Sequence, residues 1–296
     1  IIGGGIHGCC TAFELAKRGV TDVLLLEKNY LTSGATGRCG AGFRQTFGLR
    51  LNIEVASGAA EIWTNINKYT GYRHDCNVIQ CGYMMLAYTE GEENTFKKNI
   101  ALQNSMGVES VWLSVSEVKK KYAAGLNGQG LLGAAWHDKD GNADPFHCTL
   151  AFARGAERMG VDIATHTEAE EIVAQNGQVV GVKTSRGYVE TPFIFNCANS
   201  WAPILAAQVG DEIPIKNERH QAFVTEPIAP IGSQGALLPQ TLSFCKNAWV
   251  KQSPTGALVI GIDEQPEHSY NSRATWRFLE ESSAILCDMF PVFRKL

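Results

Sequence analysis

The sequence predicts an α/β protein: a Rossmann-like dinucleotide-binding domain carrying a second, discontinuous α+β domain built on a mostly antiparallel sheet. Three observations predict it. Gly3-Gly4-Gly5-Ile6-His7-Gly8 reads G-x-G-x-x-G at the head of a helical stretch. Val23-Leu24-Leu25-Leu26 is a short buried-strand pattern ending at Glu27, an acid in the place expected roughly 20 residues after the glycines. Further on, Asn176-Gly177 marks a hairpin where a plain NAD dehydrogenase would continue its βαβαβ alternation.

The elements follow in order. Gly3 permits a tight turn, Gly5 lets the backbone approach a pyrophosphate, and Gly8 lets the helix lie close to the sheet. Ile6 to Lys17 holds good helix formers, stopped by Arg18-Gly19. Phosphates would rest on the N–H groups of that helix's first turn. Glu27 would hold a ribose hydroxyl, and its charge disfavours a 2′-phosphate. Thr32 to Gly48 is a long loop rich in Gly, Ser and Thr, and such a loop inside a compact domain is usually functional. Leu49 to Lys68 has helical periodicity, with Ile53, Ala56, Ala60 and Trp63 on one face.

Cys81 to Tyr88 reads as a strand, and Gly91 to Met106 as an amphipathic helix. Ser114-Val115-Ser116-Glu117 is a capping box opening a short helix. Asp144-Pro145 is an N-cap with Pro at the first helical position, starting a helix to about Met159 that Gly160 ends. Val161 to Thr165 is a strand; Glu171–Ala174, Val179–Thr184 and Tyr188–Glu190 form a three-stranded meander. Phe193 to Cys197 reads as a buried strand returning to the nucleotide sheet. Pro214 to Thr225 and Ala248 to Ile262 read as long strands of a second sheet, and Thr275 to Met289 as a final helix. The nucleotide domain would comprise residues 1–75 and 140–212, the other domain 76–139 and 213–290.

Composition bounds the function. The 296 residues suffice for a substantial core, and 45% hydrophobic with 19% charged residues are globular values. A net charge of −4 without a basic block argues against a nucleic-acid partner. No apolar run is long enough to span a membrane. Nine cysteines without a CxxC or paired Cys/His spacing point to reduced thiols, a cytoplasmic protein and no metal centre. Both ends read as truncated: only Ile1 and Ile2 precede the glycines, and Phe293-Arg294-Lys295-Leu296 carries no capping signal.

Beyond the glycines and Glu27, the specific stretches are Ser33-Gly34-Ala35-Thr36-Gly37-Arg38-Cys39-Gly40-Ala41-Gly42-Phe43-Arg44-Gln45, Asp140-Gly141-Asn142-Ala143-Asp144-Pro145, Asn196-Cys197-Ala198-Asn199-Ser200-Trp201 and Arg219-His220-Gln221. With these the chain resembles FAD-dependent amine oxidoreductases of the D-amino-acid oxidase superfamily, and within it the sarcosine oxidase β-subunit and proline dehydrogenase β-subunit group. The resemblance implies a glutathione-reductase-type FAD-binding domain with FAD extended across it. Gly3, Gly5 and Gly8, with Ile6 and His7 between, would meet the pyrophosphate; Glu27 and Lys28 would lie at the adenosine ribose. Ser33, Thr36, Arg38, Cys39 and Gly40 would run from pyrophosphate to flavin. Ala169 matches the position whose backbone meets adenine. Ala198, Asn199 and Trp201 match a second phosphate-side turn, where relatives often carry Gly at the Asn199 position and Asn tolerates the same backbone. The family's Gly-rich segment that closes over the flavin would lie beyond residue 296, so a chain ending there is expected to bind FAD weakly.

The implied reaction removes a hydride from the carbon beside an amine of a small amine or amino-acid substrate, giving an imine that water hydrolyses. Flavin carries the redox step and the protein positions it. Arg44, in the specific loop, is the first candidate to meet flavin or substrate carboxylate, by a bidentate fork; Arg38 is the second. The plainer reading of either is a loop arginine paired to phosphate or a neighbour. His220 is a candidate facing the flavin, against the commoner edge or core histidine. Lys251 is expected to be an exposed strand lysine, away from the place where single-chain sarcosine oxidases carry their oxygen-activating lysine, which favours a dehydrogenase or an electron-passing subunit. Heterotetrameric relatives hold FMN at an α–β subunit interface, some covalently on a histidine. That position is Pro145 here, with His147 two residues on, so the expectation is no covalent FMN, while non-covalent FMN beside a partner α-subunit stays open. Two alternatives remain open too: a glycerol-3-phosphate-dehydrogenase-like flavoprotein, and a non-catalytic flavin-binding or assembly subunit.

Overall fold

The computed structural model describes residues 1–262 and 267–295. The chain divides into two units. The first is built from Ile1–Cys39, Asn65–Asn77 and Asp144–Asn217; the second from Gly40–Thr64, Val78–Ala143 and the chain from Glu218 on. Residues 40–64 group with the second unit, whereas the boundaries drawn from sequence leave them with the first.

In chain order, α1 (Ile6–Lys17) and β1 (Leu24–Leu26) open the first unit. β2 (Gly42–Phe43) and α2 (Arg50–Thr64) belong to the second, and α3 (Ile66–Thr70) to the first. The second unit continues with β3 (Tyr83–Ala87), α4 (Glu90–Ser105), β4 (Val111–Leu113), α5 (Val115–Lys121), β5 (Gly133–His137) and β6 (Gly141–Asn142). α6 (Pro145–Arg158), β7 (Asp162–Ala164), β8 (Ala169–Gln175), β9 (Gln178–Thr184), β10 (Gly187–Glu190) and α7 (Ala202–Ala207) return to the first. β11 (Ala222–Pro227), β12 (Gln240–Ser243), β13 (Ala248–Gln252), β14 (Ala257–Ile262) and α8 (Trp276–Met289) complete the second.

In the first unit β1 pairs with β7 in parallel, and Ile2 bridges Leu26 on one side and Asn196 on the other, again in parallel. This is the parallel core of a nucleotide-binding sheet. α1 packs on α6, with Phe13 edge-on to Phe152 at 5.5 Å. Gly155 makes room for that ring, since a Cβ there would lie 2.7 Å from it. Asp144 caps α6 by accepting the N–H groups of Phe146 (2.8 Å) and His147 (3.0 Å), with Pro145 in the first turn. β8, β9 and β10 form the antiparallel meander. Its hairpin turns on Asn176 (φ 53°) and Gly177 (φ 76°), the doubly left-handed pair of a type I′ turn.

The second unit is a seven-stranded sheet in the order β11-β14-β13-β12-β3-β5-β4, antiparallel except where β12 runs parallel to β3. α8 covers it: Phe278, Leu286 and Met289 join Met84, Leu86, Val250, Leu258 and Ile260 in one buried cluster. α4 and α5 both open on capping boxes, Thr89 with Glu92 and Ser114 with Glu117.

Five expectations need correction. The helix read over Leu49–Lys68 breaks at Asn65, where Thr64 Oγ1 turns back to the Ala60 carbonyl (2.9 Å) and competes with the backbone. Phe193–Cys197 touches the sheet at a single bridge, and Phe193 is 80% exposed. Pro214–Thr225 pairs only from Ala222, because Arg219 is drawn to Glu267 (2.6 Å) instead of into a ladder. Ala248–Ile262 is two strands, folded at Ser253-Pro254-Thr255-Gly256 with Gly256 at φ 92°. Lys251 is 6% exposed rather than on the surface, because β13 lies inside the sheet.

Candidate functional site

The first unit forms a glycine-lined cradle. Gly3 sits at φ 114°, and a Cβ there would lie 2.5 Å from the Cys197 carbonyl oxygen. A Cβ on Gly8 would fall 1.9 Å from the Gly3 oxygen, so the first turn of α1 crosses the loop with no room for a side chain. The N-cap residue of α1 is Gly5, which has no side chain to cap it, and its first turn holds no acid, so its remaining N–H groups and dipole favour an anion. Thr36 Oγ1 accepts the Ile6 N–H at 3.1 Å and brings the long loop onto this helix end.

Glu27 ties the cradle together. Its Oε2 accepts the Gly4 N–H (2.8 Å), and its Oε1 accepts the Asn29 N–H (2.8 Å) and the Ser33 hydroxyl (3.2 Å). A carboxylate has about four acceptor positions, so one remains for a ribose hydroxyl. Lys28 Nζ lies over the Trp201 ring, 4.2 Å from its centroid. Asn199 adopts φ 50°, the left-handed backbone that a Gly would also take. The 196–199 turn meets Gly3, whose missing Cβ would also lie 3.3 Å from the Ala198 N. Ala169 opens β8 and packs on the cluster of Ile2, Ile172 and Leu205.

Three residues named from sequence point elsewhere. The His7 side chain is exposed, leaving only its backbone to the cradle. Arg38 folds onto its own loop, donating to the carbonyls of Ser33 and Gly34 (3.1 Å for the latter). Cys39 is exposed, with its thiol on the Thr36 carbonyl at 3.0 Å.

These features fit a dinucleotide pyrophosphate. A Cβ on Gly5 would reach 3.0 Å from Thr36 Oγ1 and fill the approach. Thr32, β-branched yet at φ 73°, buries a hydroxyl without a partner beside the same loop. A strained backbone of this kind persists where the surroundings enforce it.

The second unit gathers a different set of groups. Arg44 lies with its guanidinium over the rings of Phe47 (4.6 Å) and Tyr83 (5.5 Å). Among the described residues no carboxylate pairs with it. Burial pushes the Tyr83 phenol up, with Arg44 pulling the other way. β2 and β6 form a short ribbon beside it, Gly42 opposite Asn142. Asn142 Oδ1 accepts from Lys251 Nζ at 2.9 Å, and its Nδ2 donates to Cys81 Sγ at 2.9 Å. A Cβ on Gly42 would stand 3.4 Å from the Tyr83 ring and 3.6 Å from Gln240 Oε1, a buried acceptor without a partner. Gly40 leaves space for Trp249, 2.9 Å from a would-be Cβ.

His220 does not join this group. It is 66% exposed, 3.8 Å from Glu218, and makes no bond or ring contact with Arg44. Lys251, Gln240 and Asn142 were not among the expected site residues. The signal that could have flagged Lys251 is its place in an otherwise buried strand, Ala248 to Gln252, one hairpin from the buried β14.

The sequence matches the family described as "DAO: FAD dependent oxidoreductase" over residues 1–296. A curated relative, the sarcosine oxidase subunit beta of Rhodobacter capsulatus, is 30% identical over 303 residues, covering all of this chain and 71% of the relative. The crystal structure of L-proline dehydrogenase from P. horikoshii superposes with a TM-score of 0.90 at 35% identity, over 99% of this chain and 77% of that one. The mouse pyruvate dehydrogenase phosphatase regulatory subunit is 25% identical over 309 residues, covering all of this chain and 34% of that one. The chain belongs to the FAD-dependent oxidoreductases of the DAO family, and its cofactor is FAD.

Proposed function

We propose that this protein oxidises the C–N bond of a small secondary amine or amino acid, of sarcosine, proline or glycine type, as a dehydrogenase and as the β-type subunit of a hetero-oligomer. The observation that carries the reading is Arg44: a guanidinium held on two aromatic faces, with no carboxylate of its own among the described residues. Such a group binds a planar carboxylate by two parallel bonds. FAD supplies the acceptor for the hydride when bound.

The chain's own residues do the rest. Gly3, Gly5, Gly8 and the first turn of α1 take the pyrophosphate, and Glu27 the adenosine ribose. Thr36, Ser33 and Gly40 carry the loop onward, while Ala169, Ala198, Asn199 and Trp201 with Lys28 line the nucleotide end. Arg44 orients the substrate by its carboxylate so that the carbon beside the nitrogen is presented for hydride loss. Tyr83 stays protonated at neutral pH, since burial raises it, and offers a donor beside Arg44. His220, exposed as it lies, has no part in this arrangement.

The preference for dehydrogenase over oxidase rests on chain position alone, Lys251 lying away from the place where single-chain sarcosine oxidases carry their oxygen-activating lysine; its burial, with Nζ on Asn142 Oδ1 at 2.9 Å, adds nothing to that preference. Any FMN at the partner interface is non-covalent: Pro145 offers no nucleophile, and His147 Nδ1 is engaged by the Tyr72 hydroxyl at 3.1 Å. Among the described residues no helix is long and apolar enough to cross a membrane.

A second reading is a regulatory or assembly subunit that binds flavin without turnover, favoured by the similarity to the phosphatase regulatory subunit. Anaerobic titration of the FAD-loaded complex with sarcosine, proline and glycine separates the two. Bleaching of the flavin by one of them is the expected result, followed by faster reoxidation with a dye than with dioxygen. A flavin that none of these amines bleaches refutes the enzymatic reading.

A further inference from the structure

Asp140-Gly141-Asn142 begins a stretch prominent in the sequence to which the proposed reaction gives no task. Asp140 is fully buried (0% exposed). Its Oδ1 accepts the Gln45 N–H at 2.8 Å and lies 2.8 Å from His137 Nδ1, and its Oδ2 accepts the Thr46 hydroxyl at 2.9 Å. An ionised carboxylate only accepts, so His137 Nδ1 carries the proton. His137 is buried in turn and fixed in β5 opposite Tyr83. The Asp140 carbonyl accepts the Gly82 N–H at 2.8 Å, which ties it to the start of β3. Gly141 follows without room for a side chain, since a Cβ would lie 2.0 Å from the Ile79 oxygen.

The bonded residues are the ones that frame Arg44. Gln45 and Thr46 separate Arg44 from Phe47, and Gly82 precedes Tyr83, so Asp140 holds the chain beside both rings under the guanidinium, with its carboxylate at Gln45 and Thr46 and its main-chain carbonyl at Gly82. We propose that Asp140 is a positioning residue for Arg44: its buried carboxylate, oriented by His137, fixes the Gln45 N–H and the Thr46 hydroxyl and thereby the direction in which Arg44 meets a substrate carboxylate. The proposal rests on the reading of Arg44 given above.

A double-mutant cycle tests it on the FAD-loaded complex. The probe is pyrrole-2-carboxylate, with pyrrole as the control lacking the carboxyl, each titrated by its perturbation of the flavin spectrum. Asp140→Ala is expected to weaken pyrrole-2-carboxylate on the order of 10–100-fold, the loss that misplacing an orienting group brings, and to leave pyrrole unchanged. Asp140→Asn keeps Oδ1 for Gln45 and His137 and is expected to retain most of the affinity. In an Arg44→Ala background, Asp140→Ala is expected to add less than about twofold.

Equal weakening by Asp140→Ala in both backgrounds, or equal weakening of pyrrole, overturns the proposal while leaving Arg44's role intact. Arg44→Ala without effect on pyrrole-2-carboxylate overturns the reading of Arg44 and the proposal with it. Should Asp140→Ala not fold, Thr46→Val, which removes only the Oδ2 donor, carries the same cycle. Additivity with Arg44→Ala then refutes the idea, and coupling supports it.

Discussion

Glu27→Gln isolates what the cradle's carboxylate does. Glu27 is buried and accepts three bonds, two of them from backbone N–H groups, Gly4 on Oε2 and Asn29 on Oε1. Glutamine offers one oxygen and one NH₂ in the same space. The Ser33 hydroxyl can rotate to suit, but a backbone N–H cannot, so one of the two faces another donor. If the oxygen stays with Asn29 and Ser33, the buried Gly4 N–H is left unsatisfied. That costs about 1–3 kcal/mol, and the remaining bonds fall from charge-assisted to neutral strength. A total of about 2 kcal/mol lowers Tm by about 3 °C in a chain of 296 residues, at about 2.1 cal/mol/K of unfolding entropy per residue. The assay is thermal unfolding without FAD and with saturating FAD. The loss without FAD measures the loop clasp alone. The extra loss with FAD measures weakened binding, about 1.4 kcal/mol for each tenfold in Kd. An FAD-free Tm within 1 °C of wild type refutes the clasp. A lowered FAD-free Tm with unchanged FAD affinity refutes the placement of the cofactor in this cradle.

Three further predictions follow from the same geometry. Gly8→Ala, whose Cβ would fall 1.9 Å from the Gly3 oxygen, forces the first turn of α1 off the loop; the purified protein is expected to retain no flavin absorbance, and a stoichiometric flavin spectrum would contradict the cradle. Asp144→Ala removes the acceptor for the Phe146 and His147 N–H groups and is expected to cost about 1 kcal/mol, read as a Tm drop that Asp144→Asn largely restores. Thiol labelling at pH 8 followed by mass spectrometry is expected to mark the exposed Cys39 and Cys245 first. Burial pushes Cys9 up to about 12 and Cys10 up to about 11. A raised value keeps the thiol protonated, so their reactivity grows with pH only toward those values, and rapid labelling of Cys9 or Cys10 at pH 8 would show the α1 packing to be wrong.

What the sequence made legible was local chemistry. α1, the Asp144 cap, the Ser114 capping box and the Asn176-Gly177 turn are each decided within a few residues, and each stands where the pattern put it. The cradle was legible for the same reason: Gly3, Gly5, Gly8, Glu27 and Thr36 lie close together in the chain, and strand–turn–helix geometry is enough to converge them. β12 was missed because Gln240, Thr241 and Ser243 are polar and buried, and a periodicity of apolar residues cannot register them. Phe193–Cys197 was over-read because an apolar run looks the same whether it is covered or, as here, mostly open.

The surroundings of Arg44 were illegible for a deeper reason. His137, Asn142, Gln240 and Lys251 come from separate strands, with Asp140 in the turn between β5 and β6, and reach one neighbourhood through register: Tyr83 opposite His137 on one side and beside Gln240 on the other, Gly42 opposite Asn142. Each alone reads as a surface polar residue. Burial then makes their order matter, because a buried carboxylate or ammonium is tolerated only where partners meet it. The Asp140 bonds to Gln45, Thr46 and His137, and the Lys251 bond to Asn142, are therefore the terms that hold the loop carrying Arg44 and the ribbon beside it in one arrangement. On the proposed reading of Arg44, specificity for a carboxylate substrate would be encoded there, in residues that do not touch it, as much as in the arginine.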